Sequence, residues 1–237
     1  MISVLIPVYN TSAYFLSECL KSCLSQTISD YEIVIVDNGS DNLDTLIVLS
    51  EFENNEKITI VQCAQQRGKK NLSVALNYGL LRCKYDLVAR MDSDDVMYPD
   101  RLEKQLNFMI NNPNIDILGA QIKIIPQGNI TEHQFIVDKD FALRSYWLVN
   151  HPTVMFRKSK IMDIGGYKET PTHFAEDYEL WLRSLRNNLK IRNMPDVVLK
   201  YRYHDNNLTK ETQRDPNYFD DLESQRNKLK EVYDDID

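Results

Sequence analysis

Apolar residues in the first half of the chain follow two alternating rhythms. Short, nearly unbroken apolar runs at Ser3–Val8, Glu32–Val36, Lys57–Gln62 and Asp86–Met91 read as strands. Between them lie stretches with apolar residues three and four apart, which read as helices. In Tyr14–Leu24 these are Phe15, Leu16, Cys19, Leu20, Cys23 and Leu24; Asp44–Glu53 and Leu72–Leu81 are further helices. Pro99 fits the first turn of a helix running to Met109 or Ile110. The run Ile33-Val34-Ile35-Val36 is apolar on both faces, as expected of a strand covered on both sides in a parallel sheet.

This alternation predicts an α/β protein with a doubly wound, mostly parallel central sheet and helices on both faces. The second half is less regular. Ile115–Ile125 reads as a strand with a bend at Gly119, Asp140–Trp147 as a helix, Thr153–Phe156 as a strand, Asp177–Arg186 as a helix and Val197–Tyr203 as a strand. The tail Asp215–Asp237 is charged and reads as a surface helix. No repeat or linker divides the chain, so residues 1–210 are expected to form one domain, followed by a helical tail at 211–237.

In doubly wound sheets ligands bind beyond the carboxyl ends of the strands. That draws attention to Pro7-Val8-Tyr9-Asn10, Asp37-Asn38-Gly39-Ser40, Gln65-Gln66-Arg67-Gly68 and Asp92-Ser93-Asp94-Asp95. With 28 Lys and Arg against 35 Asp and Glu the net charge is −7, which argues against nucleic acid as a partner. An acidic protein with an anionic ligand needs a cation between them. Asp92 and Asp94 point the same way if the segment is extended, and two carboxylates on one side suit Mg²⁺ or Mn²⁺. Taken alone, the pattern also fits a solvated turn ahead of the next helix. A calcium loop counted from Asp92 fails, because its sixth position is Met97 where Gly is required.

Cys19, Cys23, Cys63 and Cys83 have no metal-ligand spacing and read as buried hydrophobes in a reducing compartment. No apolar run approaches the length of a membrane span, and the opening residues lack the basic region of a secretory signal. The expectation is a cytoplasmic protein, with peripheral contact to a membrane left open.

Read together, several segments resemble glycosyltransferase family 2, whose members are inverting enzymes of the GT-A fold. They are Ile2–Asn10, Val36–Asp41, Ala89–Asp95 with Pro99-Asp100-Arg101-Leu102, His151–Arg157, Gly165-Gly166-Tyr167 and Glu176–Leu182. Their order is far more specific than any one of them. The resemblance implies a nucleotide-sugar-binding half at 1–110 and an acceptor-binding and catalytic half at 111–210. It implies a nucleotide pocket of Pro7, Val8, Tyr9, Asn10, Asp37, Arg67 and Gly68, helped by Asn71 or Asn77. Arg90, Asp92 and Ser93 would lie on the donor side, Asp94 would ligate Mn²⁺ or Mg²⁺, and Asp177 would be the general base.

His204 is similar to a C-terminal histidine that completes the metal or diphosphate site in this fold. His151, Gly166, Glu176 and Trp181 would lie on the acceptor or donor-sugar side, although Glu176 also suits a helix N-terminus and Trp181 suits the core. Trp147 reads as core before sugar platform. The implied partners are a nucleotide sugar, UDP-linked in most of the family with GDP and dTDP open, and a glycan, lipid-linked or protein acceptor.

Asn38 stands where the family often has Asp. Without the membrane segments or the Gln-x-x-Arg-Trp motif of processive synthases, single-sugar addition is expected. A sugar-phosphate nucleotidyltransferase is the nearest enzyme alternative, but the loop after the first strand has no Gly for a triphosphate. A catalytically inactive nucleotide-sugar-binding module is the alternative from another class.

Overall fold

The structure is a computed structural model that describes residues 1–63, 71–168, 176–205 and scattered positions between 207 and 227. The predicted contacts of Arg67 and Gly68 lie outside the described residues, as does most of the predicted tail.

Strands β1 (Ile2–Val8) and β2 (Tyr31–Asp37) are buried along their whole length. Side chains alternate across a strand, so each strand feeds two cores. Leu5, Val34, Val36 and Val88 face one core, shared with helices α3 (Leu72–Leu80) and α7 (Glu176–Arg186). Val4, Ile6, Ile33, Ile35 and Ala89 face the other, shared with α1 (Ala13–Leu24), α2 (Leu43–Phe52) and α4 (Arg101–Asn111). This two-sided burial is the physical content of the double winding. All four cysteines are buried thiols within it.

Among the described residues, nine strands form one sheet in the order β3-β2-β1-β4-β8-β6-β9-β5, with β7 also on β9. β1, β2, β3 (Ile58–Gln62), β4 (Leu87–Arg90), β6 (Ile117–Ile125) and β9 (Ile191–Arg202) run in one direction. Only the short β5 (Val96–Met97), β7 (Ile136–Val137) and β8 (Met155–Arg157) run against them.

The second half departs from the sequence expectations. The helix expected over Asp140–Trp147 is only α5 (Lys139–Ala142), capped by Asp138. The strand expected at Thr153–Phe156 starts later, because His151–Thr153 is a 3-10 turn. β9 begins six residues before the expected Val197, and β5, β7 and α6 (Lys158–Asp163) carried too short a pattern to be read. α4 starts at Arg101, two residues beyond Pro99. The expected bend at Gly119 is real: β6 shifts register against β9 there. A Cβ at Gly119 would stand 2.2 Å from Asn193 Oδ1. Trp147, expected in the core, is 56% exposed, because the chain around it is loop rather than helix.

The tail is anchored where it is described. Leu222 is buried against the α7 side of the core, and Tyr146 donates to Glu223. No described helix is long and apolar enough to cross a membrane.

Candidate active site

The carboxyl ends of β1, β2 and β4 lie side by side, and the loops leaving them form the floor of the site. Val8 pairs with Asp37 in register, and the Asn38 amide donates to the Val8 carbonyl at 2.8 Å. Pro7 and Val8 are buried; Tyr9 is half-buried beyond them. Asp37 is 1% exposed and accepts from the Ser40 amide at 2.9 Å, so it shapes its own turn while one carboxylate oxygen stays uncommitted to it.

Asn10 ties the two loops together. Its side-chain oxygen accepts from the Asp41 and Asn42 amides, both at 2.9 Å, and its Nδ2 donates to Asp41 at 2.7 Å. Asn71 caps α3 and takes the Asn38 amide on its carbonyl. Asn77 is spent on the backbone of Tyr167, at 2.8 and 2.7 Å. A Cβ at Gly166 would stand 2.5 Å from Asn77 Oδ1, and φ is +65° there, so glycine fits where this turn crosses α3.

The acidic cluster is four side chains in four environments. Asp92 is paired with the Arg90 guanidinium at 2.6 Å. Ser93 shares a 2.6 Å hydrogen bond with Thr11. Asp94 Oδ2 meets His204 Nε2 at 2.9 Å and receives Asn207 Nδ2 at 3.4 Å. Burial and then Asp92 push its carboxyl above the usual range, against the pull of His204. Asp95 is fully buried and accepts from the Arg202 amide at 2.8 Å. Burial, Asp94 and Asp92 raise it strongly. It braces the cluster and does not cap α4.

Two arginines that the sequence reading left without a role hold this loop. Arg101 is fully buried, donates to the Arg90 carbonyl at 2.7 Å and is lowered to about 10 by burial. Arg202 donates from Nε to the Asp94 carbonyl and from Nη2 to Glu18, both at 2.7 Å. Arg101 lies in the quoted segment Pro99–Leu102 and Arg202 stands two residues before His204, and those positions were the available signal.

The residues expected on the acceptor or donor-sugar side converge at the start of α7. Glu176 is 6% exposed, and burial followed by Asp177 raises it to about 8. His151 Nδ1 lies 3.7 Å from Glu176, and its Nε2 pairs with the Tyr167 hydroxyl at 2.9 Å. Burial and Arg90 hold His151 well below the usual imidazole range, so it is neutral at pH 7 and its contact with Glu176 is no ion pair. Trp181 is core, with its ring meeting His151 edge-on. Asp177 is half-buried and accepts from the Tyr178 amide at 2.7 Å. Burial raises its carboxyl, Arg90 draws it down and Asp92 pushes it up.

Among the described residues no three His, Cys, Asp or Glu side chains form a metal cage. Asp94 and His204 nevertheless suit a hard divalent ion that takes its remaining ligands from phosphate and water.

A family model described as Glycosyl transferase family 2 matches residues 3–168. The chain is 35% identical over 225 residues to the O-antigen biosynthesis glycosyltransferase WbnJ of Escherichia coli, covering 89% of this chain and 82% of that protein. It is 36% identical over 214 residues to the amylovoran biosynthesis glycosyltransferase AmsE of Erwinia amylovora, covering 85% and 76%. S. aureus TarS 1–349, solved in complex with UDP, matches with a TM-score of 0.74 at 20% identity, over 96% of this chain and 64% of that one. The mannosyltransferase PcManGT from Pyrobaculum calidifontis, solved with GDP-Man and Mn²⁺, matches at 0.70 and 18%, over 94% and 63%. The chain spans less than two thirds of these solved chains, and they establish the shared GT-A fold. The family model and the two curated relatives agree: this chain belongs to glycosyltransferase family 2.

Proposed function

We propose that the protein is an inverting glycosyltransferase. It moves a sugar from a nucleoside diphosphate donor, a UDP-sugar in the first instance, to a hydroxyl of a glycan, lipid-linked or protein-linked acceptor. The observation that carries this reading is a run of contacts from the end of β4 to the start of α7. Asp92 pairs with Arg90 at 2.6 Å, the Arg90 amide donates to Val154 just after the 3-10 turn, and His151 of that turn lies 3.7 Å from Glu176, the neighbour of Asp177. This run supports reading Asp92 and Asp177 as the donor-side and acceptor-side carboxylates of one centre.

In this reading Pro7, Val8, Tyr9 and Asp37 seat the nucleoside, with Asp37 accepting from the base. Asp92 contacts the donor sugar. Asp177 accepts the proton of the acceptor hydroxyl as its oxygen bonds to the anomeric carbon from the face opposite the leaving group. The bond from that carbon to the diphosphate oxygen breaks, and inversion follows from the single displacement. Asp94 and His204 would hold Mn²⁺ or Mg²⁺, which when bound offsets the charge on the departing diphosphate. The TarS complex with UDP and the PcManGT complex with Mn²⁺ support the donor class and the ion.

The test is a thermal-shift screen of UDP-, GDP- and dTDP-sugars with and without Mn²⁺. A ligand at about 100 times its Kd adds about 2.7 kcal/mol to stability. A UDP-sugar should raise Tm only when metal is present. If no nucleotide sugar moves Tm in either condition, the reading fails.

A further inference from the structure

Arg90 is 2% exposed and closes strand β4. Its Nη2 meets Asp92 at 2.6 Å, while Nε and Nη1 are buried without a hydrogen-bond partner among the described residues. Burial disfavours the cation, yet Asp92, Tyr167 and Glu176 outweigh it and hold the guanidinium above its ordinary range. A buried cation with two idle donors is an expensive way to gain stability, and a well-packed apolar side chain would serve as well. Its burial at this position points to a role other than stability.

Its placement supplies one. The backbone of Arg90 is pinned on both sides: its amide donates to Val154 at 2.9 Å and its carbonyl accepts from Arg101 at 2.7 Å. On the donor side the guanidinium grips Asp92. On the acceptor side stand Tyr167, His151, Glu176 and Asp177, contributed by the turn before α7, the 3-10 turn and α7 itself. The cation acts on all four, drawing down Tyr167, Glu176 and Asp177 and disfavouring a charge on His151. Among the described residues, Asp92 is the one negative group it binds directly.

We propose that Arg90 is a positioning residue whose guanidinium fixes Asp92 on the donor side and supplies the positive charge against which Asp177 works on the acceptor side. One buried cation thereby sets both halves of the centre. The proposal rests on the reading of Asp177 as the base. Among the described residues, the ionisable groups facing Asp177 besides Arg90 are Glu176, Asp92 and Tyr167, all neutral or negative. Without Arg90, Asp177 would hold its proton to higher pH and be a smaller fraction ionised at neutrality.

Carbon-detected NMR of side-chain carboxyls tests this on the ligand-free protein, with Asp177 assigned from its loss in Asp177→Asn. In Arg90→Gln the Asp177 midpoint should rise by about one pH unit or more, and in Arg90→Lys it should stay near wild type. Should Arg90→Gln fail to fold, the wild type carries the test. Its Arg90 Nε–H resonance, assigned through Arg90→Lys, should shift through the Asp177 midpoint, and that transition should vanish in Asp177→Asn. An unmoved Asp177 in folded Arg90→Gln, or an Arg90 resonance blind to Asp177, overturns the proposal. The base reading fails separately, if Asp177→Asn still releases UDP from UDP-GlcNAc with Mn²⁺ at the wild-type rate.

Discussion

His204 Nε2 stands 2.9 Å from Asp94 Oδ2, across 110 residues of sequence. β9 pairs with β5, next to the acidic cluster, and the residues leaving β9 return to that cluster. Arg202 reinforces the closure by binding the Asp94 carbonyl. If this pair holds the metal, Asp94→Asn should lower transfer by about 100-fold or more, the scale of losing one electrostatic stabiliser. His204→Ala should have a smaller effect, since the carboxylate remains. The measurement is UDP-sugar turnover against Mn²⁺ concentration. Unchanged metal dependence in Asp94→Asn would sink the assignment.

Asp177→Asn keeps the Tyr178 amide contact through its side-chain oxygen but cannot take a proton. The expected loss is about 100- to 10,000-fold in turnover. UDP binding measured by calorimetry should stay within a few-fold of wild type, because the proposed nucleotide seat lies on β1 and β2. A parallel fall in UDP affinity would instead mark Asp177 as a donor contact.

Glu176 also makes a prediction about stability. Its carboxyl is raised to about 8 in the folded protein from an ordinary value of 4.5, mainly by burial. Between those values the folded state holds a proton that the unfolded state has lost, so stability falls as pH rises through that window. The stabilising contribution is complete below about pH 4.5 and gone above about pH 8. Glu176→Gln mimics the protonated form. Chemical denaturation from pH 5 to pH 8.5 should show a flatter slope for the variant and a gain over wild type at the alkaline end. Parallel curves would mean that Glu176 is ionised in the folded state.

The parallel half of the fold was legible because β1 and β2 are buried on both faces, leaving an apolar run that no other element explains. The floor of the site followed, since topology places Val8, Asp37 and Arg90 at the same edge. The second half was less legible for physical reasons. β5 and β7 have two residues each, too few to carry a period, and Pro195 interrupts the pattern of β9. Trp147 was misread because its neighbours Leu148 and Val149 are core, while the turn at Ser145 presents the indole outward. Arg101 escaped notice because buried arginines are rare, and both Arg101 and Arg202 bind backbone carbonyls of the loop, contacts that no side-chain pattern reveals.

Asn10 separates binding from architecture. The resemblance places it in the nucleotide pocket, yet its amide is occupied with Asp41 and Asn42, and its backbone sits at φ +48°. Asn tolerates that left-handed conformation better than most residues, and Ala does not. Asn10→Ala should therefore lose both the loop contacts and backbone compatibility, destabilising by about 1–3 kcal/mol. Asn10→Gly loses the same contacts but accepts the backbone, so it should be the more stable of the two by about 1 kcal/mol. Both variants should weaken UDP binding through the displaced loop. Urea denaturation paired with UDP titration distinguishes the roles. If both variants keep wild-type stability and lose only UDP affinity, Asn10 is a direct nucleotide contact and the tie between the two loops is incidental.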